Sequence, residues 1–200
     1  MEDALQLLAM PSAPKRRQAA KRLRKNPDPA AGPLLLRALE EELPFEQRWE
    51  TQYHLIMALG QCHTHTAVPL LQGLAEKPLP HMVLLASGDA LFRLLSDTRD
   101  PGEVLLSLLH SGKAAVAEGA LRGAAVLKVQ LTEEVADQIV EWLRTGGDDR
   151  HAFWAAAGAA GWTGQSTKTF LTQSQQSSSQ DTRKAAEASL NKRYLNWRPL

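Results

Sequence analysis

The sequence predicts an all-α protein, an α-α solenoid of about five stacked helix pairs closed by a C-terminal capping helix. Three observations predict it. A stripe of the form Leu-Leu-polar-x-Leu returns along the 200 residues as Leu35-Leu36-Arg37-Ala38-Leu39, Leu70-Leu71-Gln72-Gly73-Leu74 and Leu105-Leu106-Ser107-Leu108-Leu109. It continues as Ile139-Val140-Glu141-Trp142-Leu143 and fades in Phe170-Leu171-Thr172-Gln173-Ser174, at steps of 35, 35, 34 and 31 residues. A fixed period of roughly 20–50 residues marks a stacked-repeat architecture. A second pattern, out of phase with the first, sets a small residue four places before an apolar one. The pairs are Ala19 and Leu23, Ala90 and Leu94, Gly123 and Leu127, Ala156 and Ala160, and Ala186 and Leu190, with Leu55 and Leu59 as the exception. An i, i+4 pair shares one helix face, and small side chains there let a neighbouring helix come close. Third, no stretch sustains period-two alternation of β-branched residues, so no sheet is expected.

Each unit therefore has a first helix with the small-residue notch and a second helix with the stripe, within one domain over residues 1–200. Gly, Pro, Asn and Asp end helices and set turns, and they place the breaks. Unit one, 12–43, is divided by Asn26-Pro27-Asp28-Pro29 and Gly32-Pro33, and unit two, 46–77, by the stretch from Gly60 to Thr66. Unit three, 80–111, follows Lys77-Pro78-Leu79-Pro80 and divides at Asp97 to Gly102; Ser87-Gly88-Asp89 is expected to interrupt its first helix. Ser111-Gly112 opens unit four, 113–145, whose second helix starts on Thr132-Glu133-Glu134, a capping hydroxyl with acids in the first turn. Gly146-Gly147-Asp148-Asp149 leads into unit five, 149–176, which ends loosely in the Ser- and Gln-rich stretch Gln173 to Gln180. A single helix over 181–194 then reads as the terminal cap that a repeat array needs.

A hydrophobic content of 44% is enough for one continuous core. The single cysteine, Cys62, excludes an internal disulfide. No segment reaches the roughly 18 consecutive apolar residues of a membrane span. The start, Met1-Glu2-Asp3, is acidic where a secretory leader is basic. The expectation is a cytoplasmic monomer without membrane contact.

Ala58-Leu59-Gly60 followed by Ala67-Val68-Pro69-Leu70-Leu71, and Arg183-Lys184-Ala185-Ala186-Glu187-Ala188-Ser189-Leu190, resemble the two helices of HEAT repeats in their short bacterial form. The resemblance covers roughly residues 15 to 194. It implies a right-handed superhelix and a scaffold for other macromolecules, and no particular chemistry. In arrays of this kind the second helices line the concave face. Their outward positions form a strip of Arg37, Gln72, Glu76, Glu103, Ser107, His110, Asp137, Glu141, Arg144 and Thr172. Such a strip is either a partner surface or simply the solvated side that every amphipathic helix has.

Charge is uneven. Residues 1–25 carry a net +5 and residues 183–200 a net +4, leaving −8 between them out of a total of +1. A basic partner therefore suits the acidic middle, and an acidic partner or nucleic acid suits the tips. The N-terminal patch is Lys15, Arg16, Arg17, Lys21, Arg22, Arg24 and Lys25. It is dense enough for phosphate contacts but has no aromatic residue to stack a base, and a solvated terminal cap accounts for it equally well. Trp142, Trp154 and Trp162 are either aromatic anchors or core fillers beside the Ala- and Gly-rich run of unit five, with Trp154 and Trp162 on one helix.

Cys62-His63-x-His65 is spaced too tightly for a structural zinc site, so neither a metal nor a cofactor is expected. No third group orients a Cys62–His pair for nucleophilic catalysis. Some DNA glycosylases of HEAT-like build use an acidic residue beside aromatics in a basic groove. Asp137 or Glu141 beside Trp142 is the nearest likeness, and no Lys or Arg gathers around them except Arg144. These readings converge on a non-catalytic scaffold or adaptor that holds a protein with a basic surface. Its sharper form is an immunity-type inhibitor using Glu103, Asp137 and Glu141. The alternative is a nucleic-acid-binding protein or HEAT-like DNA glycosylase working through the basic N-terminal helix.

Overall fold

The computed structural model describes residues 4–195; Glu2, Asp3 and Arg198, counted in the charges of the two ends, lie outside the described residues. Among them there are twelve α-helices and no strand. Five pairs stack in order: α2 (Ala13–Lys25) with α3 (Gly32–Glu42), α4 (Trp49–Gln61) with α5 (Val68–Ala75), α6 (His81–Ser96) with α7 (Pro101–Leu109), α8 (Ala114–Val126) with α9 (Glu133–Gly146), and α10 (Asp149–Gly158) with α11 (Gln165–Ser174). A short α1 (Ala4–Ala9) precedes them and α12 (Gln180–Leu190) follows. Proline occupies the first turn of α2, α3, α5 and α7, where its missing N–H costs nothing. Side chains cap several starts: Asp100 on α7, Thr132 on α9, Asp148 on α10 and Ser179 on α12.

The two layers are spaced differently. The first helices α2, α4, α6, α8, α10 and α12 pack side by side along the stack, and the second helices barely touch one another. Small residues cause the difference. A Cβ on Gly119 would fall on the Leu85 carbonyl, and one on Gly88 on the Val116 carbonyl, so α6 and α8 meet backbone to backbone. Gly60 faces Ala90 in the same way, and Ser189 Oγ donates to the Ala156 carbonyl at 2.6 Å between α12 and α10. The closely packed first helices, with α4, α6 and α8 buried along most of their length, form the inner layer in this sense, and the strip lies on the outer layer of second helices.

Three local expectations change. Ser87-Gly88-Asp89 does not interrupt a helix, because α6 runs through it. Ser87 Oγ bonds back to the Val83 carbonyl at 2.9 Å, Gly88 admits α8, and Asp89 finds cationic partners. Leu127 is not a core partner of Gly123. Helix α8 ends at Val126, Lys128 turns left-handed at φ 55°, and Leu127 is 47% exposed. Trp162 does not share a helix with Trp154, since α10 stops at Gly158 and a 3-10 turn intervenes. Helix α1, unanticipated, buries Leu7 and Leu8 and covers the open end of the first pair.

Overpacking such a contact costs about 1–3 kcal/mol. Gly119→Ala is therefore expected to lower unfolding free energy by about 3 kcal/mol, with α6 and α8 forced apart. Gly73→Ala, at a helical site with open space around it, is expected to raise it by about 0.5–1 kcal/mol. Urea unfolding of both variants checks the contrast.

Candidate functional site

The strip residues fall on the exposed sides of α3, α5, α7, α9 and α11. Arg37, Gln72, Glu76, Glu103, Ser107, His110, Glu141, Arg144 and Thr172 are exposed, and only Asp137 is partly covered. Arg37 pairs with Glu41 at 3.1 Å, and Glu141 with Arg144 at 2.6 Å. Glu103 and Asp137 have no ion-pair partner among the described residues, and Asp137 Oδ1 is buried without a hydrogen bond. Because Gly102 packs on Val135, α7 and α9 are neighbours, and Glu103 on the one and Asp137 and Glu141, a turn apart on the other, are the acidic strip positions of this pair. The Glu141 carboxyl is held below the usual range by its hydrogen bond from Arg144.

The inner layer is closed by its own side chains. Asp89, fully buried on α6, accepts from Arg93 Nε at 2.5 Å and from Arg122 Nη1 of α8 at 2.8 Å. Arg122 also reaches Met57 Sδ of α4 at 3.4 Å and lies 5.8 Å from the Trp154 ring centroid. Sequence reasoning missed this cluster. Its only trace is an aspartate and an arginine at equivalent places in units three and four, 33 residues apart. A carboxylate beside cations and an aromatic thus exists, but it is Asp89, not Asp137 or Glu141, and it is sealed from solvent.

The basic patch divides into structural and open members. Arg16 is buried, and its guanidinium holds Glu41 and the fully buried Glu42, so it is not a surface cation. Arg48 reaches the other Glu42 oxygen at 3.2 Å, and Gln52 donates to the Glu42 carbonyl at 2.9 Å. Arg17 and Lys21 meet Glu50, and Arg24 Nη1 donates to His54 Nδ1 at 2.6 Å. Lys15 and Arg22 are half-covered and Lys25 is exposed. Sequence spacing alone does not separate these roles, because Arg16 and Arg17 are adjacent in the basic run yet point about 100° apart around the helix.

Trp162 is 2% exposed and is a core residue rather than an anchor. Trp142 is half-buried edge-on to His151, and Trp154 packs on Phe153 at 4.7 Å between centroids. Cys62 is fully buried, which pushes its thiol pKa up and disfavours the nucleophilic thiolate. His63 and His65 both approach Asp97 Oδ2, at 2.7 and 3.2 Å. Among the described residues no three His, Cys, Asp or Glu side chains form a metal-binding group.

Residues 15–41 match the family described as PBS lyase HEAT-like repeat. The match covers most of α2 and α3, one helix pair, and the same pairing recurs through the stack. The chain is all-helical among its described residues, consistent with an α-solenoid, and one of its helix pairs is similar to a HEAT-like repeat. No curated protein matches the sequence. HEAT-like repeats generally mediate protein–protein interaction. Among the described residues no helix is long and apolar enough to cross a membrane.

Two outcomes are expected from the charged groups of the repeats. Breaking a buried ion pair costs about 3–5 kcal/mol because the remaining charge stays desolvated. Asp89→Ala should lose that much in urea unfolding, and Asp89→Leu combined with Arg122→Met should recover most of it. His54 is held down to about 4, mainly by burial and then by the charge of Arg24, with Lys21 and Arg17 adding to it and Glu50 opposing. A depressed histidine stabilises the fold in its neutral form. That stability is present above pH 6.5 and is lost as pH falls toward about 4. Asp148 is lowered to about 2: burial raises it, but hydrogen bonds from Arg150 and the His151 backbone outweigh that, so its share is lost only below about 3.8. Urea midpoints measured from pH 7.5 to 3 should fall in the upper window for the wild type and stay flatter there for His54→Gln.

Proposed function

We propose that this protein is a non-catalytic protein-binding scaffold whose docking face is the outer layer of second helices. The observation that carries the reading is the acidic area of α7 and α9, where Glu103 and Asp137 stand without described ion-pair partners beside Glu141. The inner layer offers no comparable acidic surface at its centre, since the carboxylate there is held by two arginines. A rigid array of helices needs no reordering to bind, which lowers the entropic cost of association. The partner that suits this face has a basic surface. In its sharpest form it is a basic toxin or nuclease that the solenoid inhibits as a cytoplasmic immunity-type protein. A base-excision reading finds less support. The carboxylate with cations and an aromatic around it is Asp89, and it is neutralised and enclosed.

Capture of tagged protein from lysate, with nuclease present, should retain a stoichiometric protein partner. Glu103→Lys with Glu141→Lys should weaken that partner by about tenfold or more, an effect of about 1.4 kcal/mol. A partner lost with nuclease treatment, or indifferent to the acidic variants, overturns the reading.

A further inference from the structure

Two neighbouring clefts open on the N-terminal part of the stack. One, of about 320 Å³, is lined from α2 by Arg17, Lys21, Arg22 and Lys25. The other, of about 380 Å³, lies where the C-terminal ends of α2, α4 and α6 approach the end of α8, and Arg24, Lys25 and Arg93 line it with Gln61, Pro27 and Leu127. Lys25 lines both, so the two are neighbours and are described together as one channel. Cations predominate in its lining, with Pro14, Gln18, Pro27, Gly60, Gln61 and Leu127 between them. The one carboxylate in it, Asp97, is engaged by His63 and His65, and Glu50 beside it is engaged by Arg17 and Lys21.

Three groups in the channel are set for a ligand. Lys25 has no ion-pair or hydrogen-bond partner among the described residues. Arg93 is anchored through Nε on Asp89, which leaves the outer nitrogens of a fixed guanidinium fork to face the second cleft. Leu127, displaced from the core by the early end of α8, supplies an apolar wall at 47% exposure.

We propose that this channel docks an acidic segment of a partner protein, an extended stretch in which carboxylates occupy alternate positions and an aliphatic side chain meets Leu127. The inference rests on the protein-binding reading above and adds the chemistry of a second contact. Arg17, Lys21 and Lys25 follow one another at i, i+4 and i+8, hence about 6 Å apart along the helix. Alternate residues of an extended chain stand about 6.6 Å apart, so one row matches the other. A nucleic acid fits less well. Among the described residues no Phe, Tyr or Trp lines either cleft to stack a base.

Fluorescence anisotropy of a labelled peptide of alternating Glu and Leu tests this on the whole protein, alongside single- and double-stranded oligonucleotides of equal charge. Binding is expected to weaken as salt rises from about 50 to 200 mM. Lys25→Glu should weaken the peptide by about tenfold, and Arg93→Lys, which keeps the charge but loses the fork, by several-fold. Leu127→Ser should weaken it without changing the salt dependence. Circular dichroism confirms that each variant is folded. Failure of the peptide to bind at low salt, or binding unchanged by Lys25→Glu, overturns the proposal, and tighter binding of an oligonucleotide assigns the channel to nucleic acid instead. Loss of the lysate partner in Glu103→Lys with Glu141→Lys is read independently, so the second-helix reading and this one fail separately.

Discussion

The contact between α6 and α8 is the constraint on which the rest of the stack depends. Gly88 and Gly119 each lie against a carbonyl of the opposite helix, and no side chain fits between the two backbones. That closeness removes water from everything beside it, including Asp89, the very next residue. A carboxylate taken out of water must be compensated by charge and hydrogen bonds, and Arg93 and Arg122 supply both. Glycine and the ion cluster are therefore two consequences of one approach. Because Arg122 continues to Met57 and lies near Trp154, the cluster touches α4, α6, α8 and α10 and sets their register across the middle of the array.

The same logic operates once more near the N-terminus. Glu42 ends α3 fully buried, and Arg16 from α2 and Arg48 from the following turn close on it. Gln52 ties the adjacent carbonyls. The fold thus spends four arginines on two buried carboxylates. What remains for recognition is the acidic outer area of α7 and α9, and the cationic channel beside α2, which Arg93 also lines while its Nε holds Asp89. The two surfaces are opposite in sign and lie on different elements, so one partner can use both or two partners can bind at once.

Much of the architecture was legible in the sequence because its cause is periodic. A stripe at near-constant spacing demands a repeated amphipathic helix, and the small residues at i, i+4 mark the helix that must sit close to its neighbours. Individual sites were less legible. Arg16 and Arg17 are adjacent in a basic run, yet one closes a buried ion pair and the other lies at the surface. Ser87-Gly88-Asp89 looks like a helix breaker by propensity, and tertiary contacts override propensity there. Leu127 satisfies the core pattern and is nonetheless exposed, since the helix ends one residue before it. Helix α1 has too few residues to show a period and is held by packing alone.

By itself, then, the sequence determined the all-α class, the pairing of helices, the positions of most breaks and the polar character of the second-helix strip. These follow from side-chain periodicity and turn chemistry, which act over a few residues. Only the tertiary structure decided that the first helices form the inner layer, that Asp89 rather than Asp137 or Glu141 lies among cations and an aromatic, and which cations remain open to a partner. Those outcomes depend on how far apart helices from different repeats come to rest, and that distance is set by packing between residues some thirty positions apart.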